Sequence, residues 1–207
     1  MEILEIQKVD LTSFCYLNKG RYPFLLESVN HNENNRYSIL FAFPGDNIVL
    51  KNFSDFDFLK ELQDKSKSTI LDSELPFIGG WFVYLSYELI GQIESTLASK
   101  LHKSTLPIAY AVQVPSAIIV DHKLDKTFII DQDNNQSRIN SILSDIKLLN
   151  KTPTQRIKGS QSEEVENKFI DGVKSSLDYI VAGDVFQVNL SRKWQYQLTE
   201  TTDSAII

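Results

Sequence analysis

Between Phe186 and Leu198 the chain alternates: Phe186, Val188, Leu190, Trp194, Tyr196 and Leu198 share one parity, and Gln187, Asn189, Ser191, Lys193, Gln195 and Gln197 share the other. A period of two predicts one long, half-buried strand over residues 186–198. Just upstream the period changes. Val165, Phe169, Val173, Leu177 and Ile180 recur every three or four residues, which places one apolar stripe on a helix. Ser160 and Glu163 stand at capping-box spacing before it. Gly183, without a Cβ, can take the left-handed conformation that closes a helix.

The same reading runs through the rest of the chain. Residues 22–28 and 36–43 are predicted strands, the second with Tyr37, Ile39, Phe41 and Phe43 on one face and Ser38 and Ala42 on the other. Residues 31–35 between them are a polar loop. Pro44-Gly45-Asp46-Asn47 signals a turn, and Ile48-Val49-Leu50 returns as a short strand, so residues 36–51 are expected to form a hairpin. Ser54 offers a helix cap before a stripe of Phe58, Leu59 and Leu62 that runs to about Lys65. In residues 75–85 Gly79 and Gly80 precede the aromatic-rich run from Trp81 to Leu85, which periodicity leaves open between strand and buried helix. Residues 109–113 and 117–122 are strands divided by Pro115, and residues 126–131 pair with the latter as a second hairpin. Residues 137–149 carry Ile139, Ile142, Leu143, Ile146 and Leu149 at helical spacing. Residues 151–161, with Pro153 and Gly159, read as a linker or surface loop. Thr202-Asp203-Ser204 is a helix-start signal followed only by Ala205, Ile206 and Ile207.

Hairpins among scattered helices favour an α+β fold of antiparallel β-sheets with flanking helices over a parallel doubly wound one. The 42% hydrophobic content allows a sizeable core in 207 residues. A net charge of −6 opposes a phosphate backbone, so nucleic acid is not an expected partner. Cys15 is the sole cysteine, which excludes an internal disulfide and leaves it as small apolar filler. No stretch approaches the roughly 18–20 apolar residues that span a bilayer, and no basic-then-apolar leader opens the chain. The expected location is the cytoplasm, without membrane association.

Three segments resemble one known family in its own order. They are Tyr22-Pro-Phe-Leu-Leu-Glu-Ser28 with Arg36-Tyr37-Ser38-Ile39-Leu40, the run Pro76-Phe-Ile-Gly-Gly-Trp-Phe-Val-Tyr-Leu-Ser-Tyr-Glu-Leu89, and Ala182-Gly-Asp-Val-Phe-Gln-Val-Asn-Leu-Ser-Arg192. Together they resemble the amino-terminal part of the component I enzymes that aminate chorismate, the aminodeoxychorismate and anthranilate synthases. The resemblance implies the amino-terminal part of the anthranilate synthase component I-like fold, truncated, because family members run to more than twice this length. On that division residues 1–150 are the amino-terminal domain, 151–163 a linker, and 164–207 the incomplete start of a chorismate-binding domain. Asn189 in Gln-Val-Asn-Leu resembles the aminodeoxychorismate branch, as does the Gly-Gly-Trp-Phe-Val-Tyr stretch. Leu25-Leu26-Glu27-Ser28 with Arg36-Tyr37-Ser38 equally resembles the anthranilate branch.

In that second branch the latter motif resembles a pocket holding tryptophan as feedback inhibitor. It makes Leu26, Glu27, Ser28, Arg36, Tyr37 and Ser38 the candidate effector site, with Glu27 for the ligand ammonium and Ser28 and the strand backbone for further polar groups. The alternative for the same residues is a surface ion pair between Glu27 and Arg36. The family further implies Mg²⁺ and chorismate in the full-length enzyme and a glutamine amidotransferase subunit that supplies ammonia. No catalytic residue or metal ligand of the family finds a match in this chain, so the chain is expected to be inactive alone. A free-standing tryptophan-binding module and a nonfunctional remnant are the other readings.

Nothing else carries chemistry. Gly79-Gly80 lacks the spacing of a phosphate loop and is expected to serve close backbone packing. His31, His102 and His122 have no helical partner spacing for zinc. Ser86 lacks the glycines of a nucleophile elbow. Tyr84, Tyr87 and Glu88 are expected to pack in the core. Residues 156–160, Arg-Ile-Lys-Gly-Ser, resemble the family's lysine motif only superficially and read as linker.

Overall fold

A computed structural model of the chain describes residues 1–28, 35–66, 73–100, 105–149 and 158–198. The polar loop at 31–34, most of the 151–161 stretch, the helix-start signal at 202–204, and the residues His31 and His102 lie outside the described residues. In chain order the elements are β1 (Glu2–Ile6), α1 (Leu11–Leu17), β2 (Phe24–Leu26), β3 (Tyr37–Ala42), β4 (Asn47–Leu50), α2 (Phe58–Lys65), β5 (Gly80–Leu85), α3 (Ile90–Ile93), β6 (Ala109–Val114), β7 (Ser116–Asp121), β8 (Lys126–Asp131), α4 (Gln136–Leu149), β9 (Gly159–Glu163), α5 (Glu166–Ala182) and β10 (Trp194–Leu198). The chain divides into two compact units, Met1–Pro153 and Thr154–Ile207. The α+β class with antiparallel sheets is what the sequence led us to expect.

In the first unit β1-β8-β7-β3-β2 form one sheet and β4-β6-β5 another, with every neighbouring pair antiparallel. The expected 126–131 hairpin is present, closed by a left-handed Asp125 (φ 54°). The expected 36–51 hairpin is not: β3 and β4 belong to different sheets. Both strands instead turn a shared corner. β3 pairs with β7 as far as Ala42 opposite Ser116, and β4 pairs with β6 from Asn47 opposite Val112. Across the gap Gly45 N–H donates to the Gln113 carbonyl and Gln113 N–H to the Asp46 carbonyl. Residues 43–46 thus face 113–115, one residue more than their partner strand, which is a bulge that bends the ribbon from one sheet into the other. Pro44 and Pro115, which have no N–H to give a ladder, sit at that bend.

The bend also reverses one side-chain assignment. Phe43 adopts φ 57° and packs with the core on the helical side of the sheet, not with Tyr37, Ile39 and Phe41. On that helical side Leu40, Ala42, Ile118, Val120 and Ile129 meet Leu11 and Phe14 of α1 and Ile139 and Ile142 of α4. Fully burying each of the Leu, Ile, Val and Phe side chains among them is worth about 1.5–3 kcal/mol. Cys15 packs against this core, as expected of a filler residue. On the other side Phe41, Phe24 and Ile39 meet Phe82, Val112, Val114 and Tyr110 of the second sheet. Phe24 and Phe82 stack at 4.0 Å, and Phe77 meets Phe41 edge-on at 5.0 Å. The run that periodicity left open, residues 81–85, is therefore strand, and α2 covers the far face of its sheet through Phe58.

α2 begins one turn later than Ser54 suggests. Asp57 caps it, its carboxylate accepting the Lys60 N–H at 3.0 Å. Three elements went unread in the sequence: β1, which adds to β8 at the sheet edge, α1, capped by Asp10, and the one-turn α3. α4 is fastened by a buried carboxylate. Asp131 accepts from Arg138 Nε (2.6 Å), Ser116 Oγ (2.7 Å) and Asn135 N–H (2.8 Å). Burial alone would push that carboxyl up, yet Arg138, the Asn135 N–H and Ser116 together hold it down to about 2.

In the second unit α5 closes at Gly183 with φ 81°, the expected stop. Three expectations fail there. Ser160 does not cap α5, because residues 159–163 form β9 and the cap position is Val165, which makes no side-chain cap bond. The same strand removes the linker reading for residues 159–161. The long strand over 186–198 shortens to β10, paired with β9 from Trp194 opposite Glu163 to Leu198 opposite Gly159. Residues 184–193 instead run past α5, with Leu190 against Gly172 and the Arg192 guanidinium over the Phe169 ring.

Candidate functional site

The residues singled out for ligand binding gather at one end of the five-stranded sheet. β2 is its edge strand and pairs with β3 only as far as Leu26 opposite Ile39. Beyond that point side chains continue the contact. Ser38 Oγ accepts the Ser28 N–H at 3.0 Å, and Ser28 Oγ donates to the Tyr37 carbonyl at 2.7 Å. Leu26 shares the face of Phe24 and of its register partner Ile39, yet at the strand end it is 52% exposed, and Glu27 beside it is exposed as well. Leu26, Glu27, Ser28, Tyr37 and Ser38 are thus adjacent.

Arg36 is turned elsewhere. Its Nη2 lies 2.6 Å and its Nε 3.0 Å from the carboxylate of Asp121, and its guanidinium sits 4.8 Å over the Tyr37 ring. The Glu27–Arg36 ion pair considered from sequence is therefore not the pairing that Arg36 makes; its carboxylate partner is Asp121. Asp121 is 1% exposed and also accepts the N–H groups of Lys123 and Leu124. The Arg36 guanidinium holds its carboxyl below the usual range. Sequence reasoning missed two members of this cluster, Asp121 and His122. Their signal was positional: β3 and β7 pair with Tyr37 opposite Asp121, so the end of β7 had to lie beside Arg36. His122 N–H donates to the Arg36 carbonyl, and His122 Nε2 stands 2.8 Å from Ser38 Oγ.

Chemically this end of the sheet offers an exposed carboxylate, a hydroxyl and an edge of backbone donors and acceptors. Those are groups that can meet an ammonium and a carboxylate on one small ligand. The Ser38 hydroxyl and His122 Nε2 do stand at hydrogen-bond distance, but Ser38 is 3% exposed and out of a substrate's reach, so the pair is not assigned to covalent catalysis. Among the described residues no three His, Cys, Asp or Glu side chains converge as metal ligands, so none of them is assigned to magnesium.

The remaining expectations resolve one by one. A Cβ on Gly79 (φ 118°) would stand 2.3 Å from the Gln132 side chain, so close packing is its role. The expectation that Tyr84 and Tyr87 pack in the core is wrong. Tyr87 is 79% exposed, because a 3-10 turn over Tyr87–Leu89 swings it out and buries Leu89 in its place. Of the lysine-like stretch, Gly159 and Ser160 are strand residues of β9, while residues 156–157 lie outside the described residues. No described helix is long and apolar enough to cross a membrane.

Comparison with known proteins places this architecture. The model of the chorismate binding enzyme family matches residues 20–207. Anthranilate synthase component 1 of Lactococcus lactis is 24% identical, over 88% of this chain and 45% of that protein. Aminodeoxychorismate synthase of Saccharomyces cerevisiae is 26% identical, over 68% of this chain and 18% of that protein. The crystal structure of anthranilate synthase component I from Streptococcus pneumoniae superposes with a TM-score of 0.51 at 22% identity, over 75% of this chain and 40% of that one, a likeness of fold. The chain spans less than half the length of each of these relatives. With the family model matched from residue 20 to residue 207, the chain belongs to the chorismate binding enzyme family.

Proposed function

We propose that this chain serves an aminodeoxychorismate synthase, in which ammonia replaces the ring hydroxyl of chorismate, released as water, to give 4-amino-4-deoxychorismate for 4-aminobenzoate and folate. The observation that carries the reading is the string Gln187-Val188-Asn189-Leu190 after the α5–Gly183 stop, inside the family match. Its polar Asn189 resembles the folate branch. In this reading the first unit contributes framework and an amino-acid site at Leu26, Glu27, Ser28, Tyr37 and Ser38, with Arg36 bracing β3 through Asp121. Ammonia would come from a glutamine amidotransferase subunit, and Mg²⁺ would supply Lewis acidity toward chorismate, with no described residue assigned to hold it.

A second reading is anthranilate synthase component I. The name of the Lactococcus lactis relative favours it, as do Leu25-Leu26-Glu27-Ser28 and Arg36-Tyr37-Ser38. The two separate by product. The gene, expressed at its natural length, is supplied with chorismate, ammonium and Mg²⁺, and the product is identified by mass spectrometry. 4-Amino-4-deoxychorismate supports the first reading; anthranilate overturns it in favour of the second; a reaction mixture holding neither, with chorismate intact, overturns both.

A further inference from the structure

Ser38 lies between two partners. Its Oγ accepts the Ser28 N–H at 3.0 Å and stands 2.8 Å from His122 Nε2. At 3% exposure its own hydroxyl hydrogen has almost no water to turn to, and a buried donor left without an acceptor is costly. His122 Nε2 is an acceptor in reach when the ring carries its proton on Nδ1. The histidine is itself held in place. Its N–H donates to the Arg36 carbonyl, and the preceding Asp121 is fixed by the Arg36 guanidinium and by the N–H groups of Lys123 and Leu124. One run of hydrogen bonds therefore leads from β7 through His122 and Ser38 to Ser28. That run matters because β2 is a three-residue edge strand whose ladder has already ended at Leu26.

We propose that His122 is a positioning residue of the amino-acid site: by accepting the Ser38 hydroxyl hydrogen it clasps Ser28 to β3 and so fixes where Glu27 is presented. The positioning role rests on the reading of Glu27 and Ser28 as ligand-binding residues; the clasp itself does not.

The clasp is read without any ligand, by hydrogen exchange at the Ser28 amide. In His122→Leu that exchange speeds up roughly tenfold, the scale of one net hydrogen bond, and Ser38→Ala does the same. His122→Gln, which keeps an acceptor near the position of Nε2, restores wild-type exchange to within about threefold. Because both single changes break the same run, the double variant exchanges no faster than either alone. Imidazole nitrogen shifts at pH 8 should show an unprotonated Nε2. Binding of L-tryptophan is then measured by calorimetry on the same proteins. The expected result is a Kd about tenfold higher in His122→Leu and Ser38→Ala, recovered in His122→Gln. Ser28 exchange unchanged in His122→Leu, or additive effects in the double variant, overturns the clasp. Tryptophan affinity unchanged when the clasp is broken overturns the positioning role. A wild-type chain that ignores millimolar tryptophan while its Ser28 amide still responds to His122→Leu defeats the amino-acid reading and the positioning role together, and leaves the clasp standing.

Discussion

The two units carry the same kinds of sequence pattern and treat them differently. In Met1–Pro153 the apolar positions of β3, β7, β8 and α4 close into a core in which Leu40, Ile118, Ile130 and Ile142 lose all solvent contact. In Thr154–Ile207 an equally regular stripe on α5 buries none of its residues, β9 and β10 are exposed along their length, Phe186 is fully exposed and Val181 is 89% exposed. Periodicity writes the shape of an element and the side on which it wants cover. It does not supply the cover. Among the described residues of its own unit the α5 stripe is only partly covered, and apolar area left in water contributes nothing to stability.

The widest separation between the units should come from truncating matched aliphatic residues. Ile118→Ala is expected to cost about 3–4 kcal/mol, since the hole is walled by sheet and helices. Leu177→Ala, 56% exposed on α5, should stay within about 0.5 kcal/mol. The two tryptophans make this readable, because Trp81 belongs to the first unit and Trp194 to the second. Urea unfolding followed by Trp81 fluorescence in a Trp194→Phe background gives the first number, and α-helical circular dichroism of the Leu177 variant gives the second. Comparable losses would erase the contrast.

Acid should sharpen it. Asp131 titrates near 2 when folded and near 3.9 when unfolded, so its stabilisation is present above pH 4 and is lost as pH falls toward 2. The first unit should lose roughly 2 kcal/mol across that window, and Asp131→Asn should flatten the slope while lowering stability at neutral pH. Urea midpoints taken at half-unit pH steps check this. Asp121, also held low by Arg36, adds to the loss in the same direction.

Smaller effects mark each unit separately. Gly183→Ala forces a Cβ into a left-handed turn and should cost the second unit about 1 kcal/mol of α5 stability, seen as earlier loss of helical signal. Thr127 is fully buried and its hydroxyl finds no partner among the described residues. Thr127→Val should therefore raise the urea midpoint of the first unit by the equivalent of about 0.5–1 kcal/mol. A lowered midpoint would mean that the hydroxyl is satisfied.

What the sequence made legible follows the same division. Local patterns gave α4, the β7–β8 hairpin and the Gly183 stop, because each is decided by residues close in the chain. The false hairpin at 36–51 shows the limit. Pro44-Gly45 does mark a bend, but which sheet receives β4 is decided by β6, about sixty residues later. Ser160 and Glu163 have the spacing of a cap, yet pairing with β10 claims them first. At the candidate site the motif residues were visible as a string, whereas Asp121 and His122 join them only through strand register. The Tyr87 error has a similar root: a 3-10 turn rotates the run out of strand parity, and nothing in Ser-Tyr-Glu-Leu announces it.

The contrast between a closed unit and an uncovered one is tested most directly by residue-resolved hydrogen exchange on the intact chain under native conditions. Amides of Ile118, Ile119, Ile129 and Ile130 should exchange only through global opening, at least about a thousandfold slower than unstructured peptide, while those of Leu177, Tyr179 and Tyr196 should exchange within about a hundredfold of it. Equal protection in α5 and β7 would contradict the account.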